Sequence, residues 1–235
     1  MRVMRKSSKK SPARKKVRSK AGKKISRKRA VKKARSAEKV AKRVSPGKKV
    51  ARAPKVAAIS FEGLSLRQIA AKVSDYLEKT GYGPALTGRA CAAIHVGALI
   101  KPKSLDFVLR EYQVNELADA MRAIGFTNTE MNTFESKRCP FSVVFSPPPI
   151  SVGDDIVDSL QILKTRDGMI RMLDPTDCVR QRLSMFYRWG DREAFDDAIQ
   201  VATRHPVDLD LVKRWSEWEW CSDRYDEFLA RLQKK

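Results

Sequence analysis

Apolar residues recur at helical spacing over 65–80, where Leu66, Ile69, Ala70, Val73, Tyr76 and Leu77 form one stripe. Ser65 precedes the stripe as a capping residue and Gly81 ends it, so the spacing predicts a helix there. Ala85–Thr87 reads as a short strand that turns at Gly88 into a small-residue helix over 89–97. The apolar run Ser104–Leu109 is a strand, and 113–124 is a second amphipathic helix with Val114, Leu117, Met121 and Ile124 inward and Gly125 as its stop. Ser142–Phe145 is a strand closed by Pro147-Pro148-Pro149, and Leu160–Thr165 and Met169–Leu173 flank the hairpin turn Arg166-Asp167-Gly168. From Pro175 onward the pattern is helical over 175–189, 192–204, 208–220 and 222–233, with breaks at Gly190, Pro206 and near Ser222. The order α, β, α, β, α, three strands, then four helices predicts an α+β class: a mixed sheet over 62–173 followed by a C-terminal helical region over 174–235.

Charge divides the chain differently. Residues 1–57 hold 25 of the 49 Lys and Arg and a single acid, Glu38, a charge of +24. The remaining 24 bases and 26 acids leave residues 58–235 at −2. The first segment has no aromatic residue, whereas 58–235 carries all four Trp, five Tyr and nine Phe. A segment so poor in large apolar groups cannot offset its ordering entropy, so residues 1–57 are expected to be a disordered basic tail. The 178 residues that follow suffice for one core.

Such a tail is an electrostatic binder of polyanions. Duplex DNA carries one negative charge per ~1.7 Å of axis and a layer of condensed counterions that Lys and Arg release. Lys15, Lys16, Arg18, Lys23, Lys24, Arg27, Lys28, Arg29, Lys32 and Lys33 are the densest candidates for phosphate contact. Lacking aromatic residues, the tail has nothing on which to stack bases, which points to duplex DNA bound without sequence preference. Ser11-Pro12 and Ser45-Pro46 break helices, while small apolar residues from Ala30 to Val44 fall at near-helical spacing, so 27–44 can coil on binding. In composition the tail resembles the Lys/Ala/Pro-rich tails of linker histones and bacterial histone-like proteins. A solvated solubility arm, an acidic membrane surface and a mitochondrial presequence are the competing readings. The tail has no Trp, Phe or Leu to insert into a bilayer, and no clear apolar helical face.

Cys91, Cys139, Cys178 and Cys221 are far apart and form no Cys-x-x-Cys pair, so they read as free thiols of a reducing compartment. His95 and His205 read as isolated, and no zinc site is expected. The longest uncharged apolar stretch, Ala90–Ile100, is about half of what a bilayer needs, and no secretory apolar block opens the chain. A cytoplasmic, nucleoid-associated location follows. Trp189, Trp215, Trp218 and Trp220 are assigned to helix packing.

The run LTGRACAAIHVGALIKPKSLDFVL, Leu86 to Leu109, resembles the signature of minimal nucleotidyltransferases of the DNA polymerase β superfamily, many of them in toxin–antitoxin loci. Their pattern is a strand, a Gly-Gly or Gly-Ser turn into a small-residue helix, and a strand bearing Asp-x-Asp. Ile124–Phe126, the PPPISVGDD stretch at 147–155 and LDPTDCVRQRLSMFYRWGDREAFDDAI at 173–199 resemble the same group, so the similarity spans about 62–232. The resemblance implies a nucleotidyltransferase-like mixed sheet and, in an active member, Mg²⁺. Two Asp at alternate strand positions share one face, a third carboxylate comes from a neighbouring strand, and together they hold two ions that bind a triphosphate. The Gly turn and the helix N-terminus cradle phosphates.

On this pattern the first Asp position is Ser104, the second is Asp106, the third falls on Val144, and the Gly-Gly turn is Gly88-Arg89. A site charge of about −3 falls to about −1, and a Ser hydroxyl is a poor Mg²⁺ ligand. Asp106 is thus the one candidate catalytic and metal residue. Glu111, an odd number of residues away, faces the other side of a continuous strand, and nothing in the pattern requires Asp154 or Asp155 to substitute. Arg180 stands where the group often has a phosphate-binding Lys. With Gly88, Arg89 and Ser104 it is a candidate for holding a nucleotide or nucleic-acid phosphate without metal; otherwise it is a surface residue of an amphipathic helix. Two functions follow. One is a nucleic-acid-binding protein with a catalytically degenerate domain, with a partner protein of a toxin–antitoxin pair. The other is an active Mg²⁺-dependent nucleotidyltransferase brought to its substrate by the tail. A chromatin-compaction protein whose folded part only oligomerises is a third.

Overall fold

In the computed structural model the described residues are 59–234, and they fall in a single compact unit. The tail expected over 1–57 lies outside the described residues, as does the side chain of Val114. Helix α1, Leu66–Lys79, begins at a capping box: Ser65 Oγ accepts from the Gln68 backbone while the Gln68 side chain accepts from the Ser65 N–H. Its stripe is fully buried at Ile69, Ala70, Val73 and Leu77.

The chain then runs β1 Pro84–Thr87, α2 Gly88–Val96, β2 Ser104–Leu109, α3 Val114–Ala123, β3 Thr127–Glu130, β4 Thr133–Glu135 and β5 Ser142–Ser146. It continues with β6 Ser151–Val152, β7 Asp155–Ile156, β8 Gln161–Thr165 and β9 Gly168–Met172. Four helices close it: α4 Pro175–Trp189, α5 Arg192–Arg204, α6 Leu209–Trp218 and α7 Ser222–Gln233. Seven strands make one mixed sheet in the order β3-β4-β5-β2-β1-β9-β8, and β6 and β7 pair separately. β2 lies parallel to β5 and antiparallel to β1, and β1 lies parallel to β9. The α+β mixed sheet with C-terminal helices is therefore as expected.

β2 carries the alternation that a half-covered strand requires. Leu105, Phe107 and Leu109 are buried, and Ser104, Asp106 and Val108 face the other way, half-buried. Phe107 stacks near Phe145 of β5 with centroids 6.2 Å apart. Helix α2 packs on β1 and β2 and against α4 and α5, and so joins sheet to helices. Each fully buried Leu or Phe here contributes about 1.5–3 kcal/mol of transfer free energy.

Four strands escaped the pattern. β3, Thr-Asn-Thr-Glu, is exposed at every position, and the edge of the sheet holds it by backbone pairing with β4 and by the Thr127 and Thr129 hydroxyls, which donate to the Glu135 and Thr133 carbonyls. β4 is three residues long, and β6 and β7 have two each, too few for a period to show. The helix expected at 208–220 ends at Trp218, because Trp220 adopts φ +63° and leaves the helical region. No described helix is long and apolar enough to cross a membrane.

Candidate functional site

Asp106 sits in the middle of β2, and its neighbours in register are Thr87 of β1 and Val144 of β5. Ser104, two residues earlier and on the same face, donates from Oγ to Asp106 Oδ1 at 2.9 Å. Burial raises the Asp106 carboxyl above the ordinary range, against the Ser104 hydrogen bond and the Arg182 charge, which lower it. Gly88 closes over this carboxylate. Its φ is +65°, and a Cβ there would fall 2.6 Å from Asp106 Oδ2, so backbone conformation and space both call for glycine. Gly88, Ser104 and Asp106 are therefore brought together.

The phosphate-cradling groups are engaged elsewhere. The Gly88 N–H donates to Gln181 Oε1 at 2.7 Å. The Arg89 side chain turns to α5, where it meets Glu193, and its Nε lies 3.2 Å from Asp197 Oδ2. Arg182 Nη2 reaches the same Asp197 oxygen at 3.3 Å. Neither guanidinium makes an aligned hydrogen bond to it, and burial raises the Asp197 carboxyl against the pull of Arg182 and Arg89.

Arg180 is not brought to Asp106 by any contact, nor does it lie on the surface. Its side chain is 7% exposed. It binds Asp155 of β7 at 2.5 Å and Asp177, one turn earlier on α4, at 2.7 Å. The guanidinium stands 5.2 Å over the ring of Trp215. With Asp155, Leu211, Arg214, Trp215 and Trp218 it lines a cavity of about 310 Å³. Arg180 Nε and Trp215 Nε1 are buried there without a hydrogen-bond partner. Asp155 thus serves Arg180 rather than Asp106.

Sequence reasoning missed Gln181, Arg182 and Asp197. The first two follow Arg180 directly on α4, where a half-polar helix face against α2 was the available signal. The tryptophans also depart from expectation. Trp215 is buried, stacked on Tyr187 at 5.5 Å, but Trp189, Trp218 and Trp220 are exposed, because they lie at or beyond the helix ends. His95 is not isolated from the cysteines. It lies four residues after Cys91 on α2, and ligand atoms of Cys91, His95 and Cys178 fall within 4.8 Å of one another. All four cysteines are free thiols.

A magnesium pair of the kind the motif resemblance implies does not fit these residues. Asp106 faces a hydroxyl, a threonine and a valine, and among the described residues it belongs to no group of three potential ligands. One carboxylate cannot neutralise two divalent ions. No family profile matches the chain, and no curated protein does. Among solved structures, the chain is similar to the crystal structure of an antigenic nucleotidyltransferase-like protein from Paracoccidioides brasiliensis, at 12% identity and a TM-score of 0.47, over 61% of this chain and 77% of that one.

Proposed function

We propose that this chain is a nucleic-acid-binding protein whose nucleotidyltransferase-like domain has lost the acids of a two-metal centre. One observation carries the reading: the whole positive excess, +24, lies in residues 1–57, and the rest of the chain is at −2. Lys15, Lys16, Arg18 and the bases from Lys23 to Lys33 release counterions from duplex DNA. At the candidate site of the folded part Arg89, Arg180 and Arg182 are each paired with acids of the chain itself. The degenerate half of the reading is supported by the strand register, which sets Asp106 opposite Val144 where a carboxylate is required. The likeness of 173–199 to toxin–antitoxin-associated proteins extends the proposal to an antitoxin-like or nucleoid-associated role in the cytoplasm, with the domain meeting a partner protein.

An active Mg²⁺-dependent nucleotidyltransferase, guided to its substrate by the tail, is the competing reading. It is favoured by the retention of Asp106 beside the Gly88 turn. Two measurements separate them. Duplex binding by the full-length protein should weaken with a log–log salt slope near −7 if about eight phosphates are contacted. Changing the ten bases from Lys15 to Lys33 named above to Gln should flatten that slope by several units. An unaltered affinity and slope would remove the tail from the mechanism. In calorimetry with Mg·ATP, Mg·CTP and Mg·GTP, no metal-dependent heat is expected. Tight binding that needs Mg²⁺ and disappears in Asp106→Asn would establish the enzyme instead.

A further inference from the structure

We infer that Cys91, His95 and Cys178 form a site for a thiophilic divalent cation, Zn²⁺ by its chemistry, that ties α2 to α4. Cys91 and His95 are one helical turn apart on α2, and Cys178 lies in the first turn of α4. The three ligand atoms are within 4.8 Å of one another. A tetrahedral Zn²⁺ with Zn–S of about 2.3 Å and Zn–N of about 2.0–2.1 Å sets its ligand atoms roughly 3.5–3.8 Å apart. Closing the cluster by about an ångström makes that geometry.

Three further features of the place suit such an ion. The backbone carbonyl of Leu173 faces the same atoms: His95 Nε2 lies 3.0 Å from it, and Cys91 Sγ 3.6 Å. A proton on Nε2 donated to that carbonyl leaves Nδ1 with the lone pair, a common way in which a backbone oxygen orients a metal-binding imidazole. The ring of His205 stacks edge-on 5.2 Å from that of His95, and its Nε2 bonds the His95 carbonyl at 2.7 Å, which fixes the end of α2. Cys91 and Cys178 are fully buried, whereas His95 is half-buried and opens the route to solvent.

The charge balance also selects the ion. Binding displaces one proton from each thiol to solvent, and two thiolates with a neutral imidazole cancel the two positive charges of the cation. A neutral complex tolerates the buried setting, where an unpaired ion would not. Sulfur ligands favour Zn²⁺ over Mg²⁺ or Ca²⁺. The fourth position is left to water. The site belongs to the joint between sheet and helices and is separate from Asp106.

Cobalt(II) titration of the reduced full-length protein tests this. One equivalent should produce thiolate-to-cobalt charge transfer in the near ultraviolet and the visible bands of tetrahedral cobalt, both abolished by Zn²⁺. His95→Gln and Cys178→Ser should each weaken binding at least roughly tenfold, since loss of a ligand costs no less than loss of a group that merely orients one. Cys139→Ser and Cys221→Ser should leave the spectrum unchanged. Absence of the bands in the wild-type protein overturns the proposal whatever the variants do. So does their persistence in a Cys91→Ser, Cys178→Ser double variant. Should that variant fail to fold, the wild-type titration still decides.

Discussion

The sheet and the helical half handle charge in opposite ways. On β2, Asp106 keeps a carboxylate among a serine hydroxyl, a glycine and a valine, and burial works against its ionisation. Where α4 and α5 meet their neighbours, two buried arginines of α4 and one half-buried arginine of α2 each find acids: Arg180 with Asp155 and Asp177, Arg182 with Asp197, and Arg89 with Glu193 and Asp197. Removing one partner of a buried pair leaves an uncompensated charge, so the helical ion pairs hold the fold once made. Asp106 gives the fold nothing comparable. The most buried arginine–acid pairs thus lie at the helices, the sheet's Arg171–Glu78 pair is more exposed, and Asp106 is a buried sheet acid held by a hydroxyl instead of a cation.

The largest effect should come from breaking the helical network. Asp197 is 5% exposed and Arg182 8%. Asp197→Ala should cost about 3–5 kcal/mol, as for other buried pairs that lose one member. At about 2–4 °C per kcal/mol for a domain of this size, Tm should fall by roughly 10 °C. Replacing Arg182→Met together with Asp197→Leu should recover part of the loss, since Arg89 keeps Glu193. A single-variant cost below about 1 kcal/mol would place this pair with exposed ones, worth about 0–1 kcal/mol, and erase the contrast. Next comes the sheet side. Gly88→Ala forces a Cβ to 2.6 Å from Asp106 Oδ2 at φ +65° and should cost about 1–3 kcal/mol. Combining it with Asp106→Ala should remove the Oδ2 clash, keep the looser 3.3 Å approach to the Cβ of residue 106, and leave mainly the backbone cost of about 1–2 kcal/mol. A double-mutant cycle by chemical denaturation reads the coupling.

Elements with a strong period were legible in the sequence. The α1 stripe, the Gly88 turn, the alternation of Ser104–Leu109 and helices α4, α5 and α7 follow from local chemistry. β3 was not, because an exposed polar strand shows no apolar alternation and is fixed by pairing with its neighbour. The site divides likewise. Ser104 and Asp106 share a face by strand alternation, so their hydrogen bond was implied by spacing. Arg180 meets Asp155 through a two-residue strand 25 positions upstream, which no period encodes. Cys178 joins Cys91 and His95 only once α4 packs on α2, although the four-residue step from Cys91 to His95 was visible on the helix.

Asp106 itself gives a smaller effect with a definite sign. Its carboxyl is raised above the ordinary value, so the folded state holds the proton more tightly than the unfolded state. Stability is then lost as pH rises through the ordinary Asp range and the raised folded value. Asp106→Asn keeps an acceptor for Ser104 and removes the charge. Its Tm at pH 7 should exceed wild type by roughly 2–4 °C, the scale of relief at a burdened site. The gain should shrink to nothing below the ordinary Asp value of about 3.9. A loss of stability at pH 7 would mean that Arg182 and Ser104 outweigh burial, and Asp106 would then belong with the structural charges.

The smallest effect tests whether the exposed tryptophans belong to the helical half's packing at all. Trp220 is 86% exposed and is the only non-glycine residue with positive φ among those described. It sits just past α6, where the Cys221 N–H bonds back to Ser216 O at 2.9 Å, a helix-ending arrangement that glycine usually occupies. A left-handed non-glycine residue costs about 1–2 kcal/mol, and glycine returns about 0.5–1 kcal/mol of that through its freer unfolded chain. Trp220→Gly should therefore change stability by between zero and about +1 kcal/mol, and Trp220→Ala, which keeps the backbone cost, should stay within about 0.5 kcal/mol of wild type. Trp215, stacked on Tyr187 and over which Arg180 lies, should lose about 3–5 kcal/mol on truncation to Ala. If Trp220→Gly instead costs more than about 1 kcal/mol, the indole is packed despite its exposure, and the ring belongs to the fold rather than to a surface left for binding.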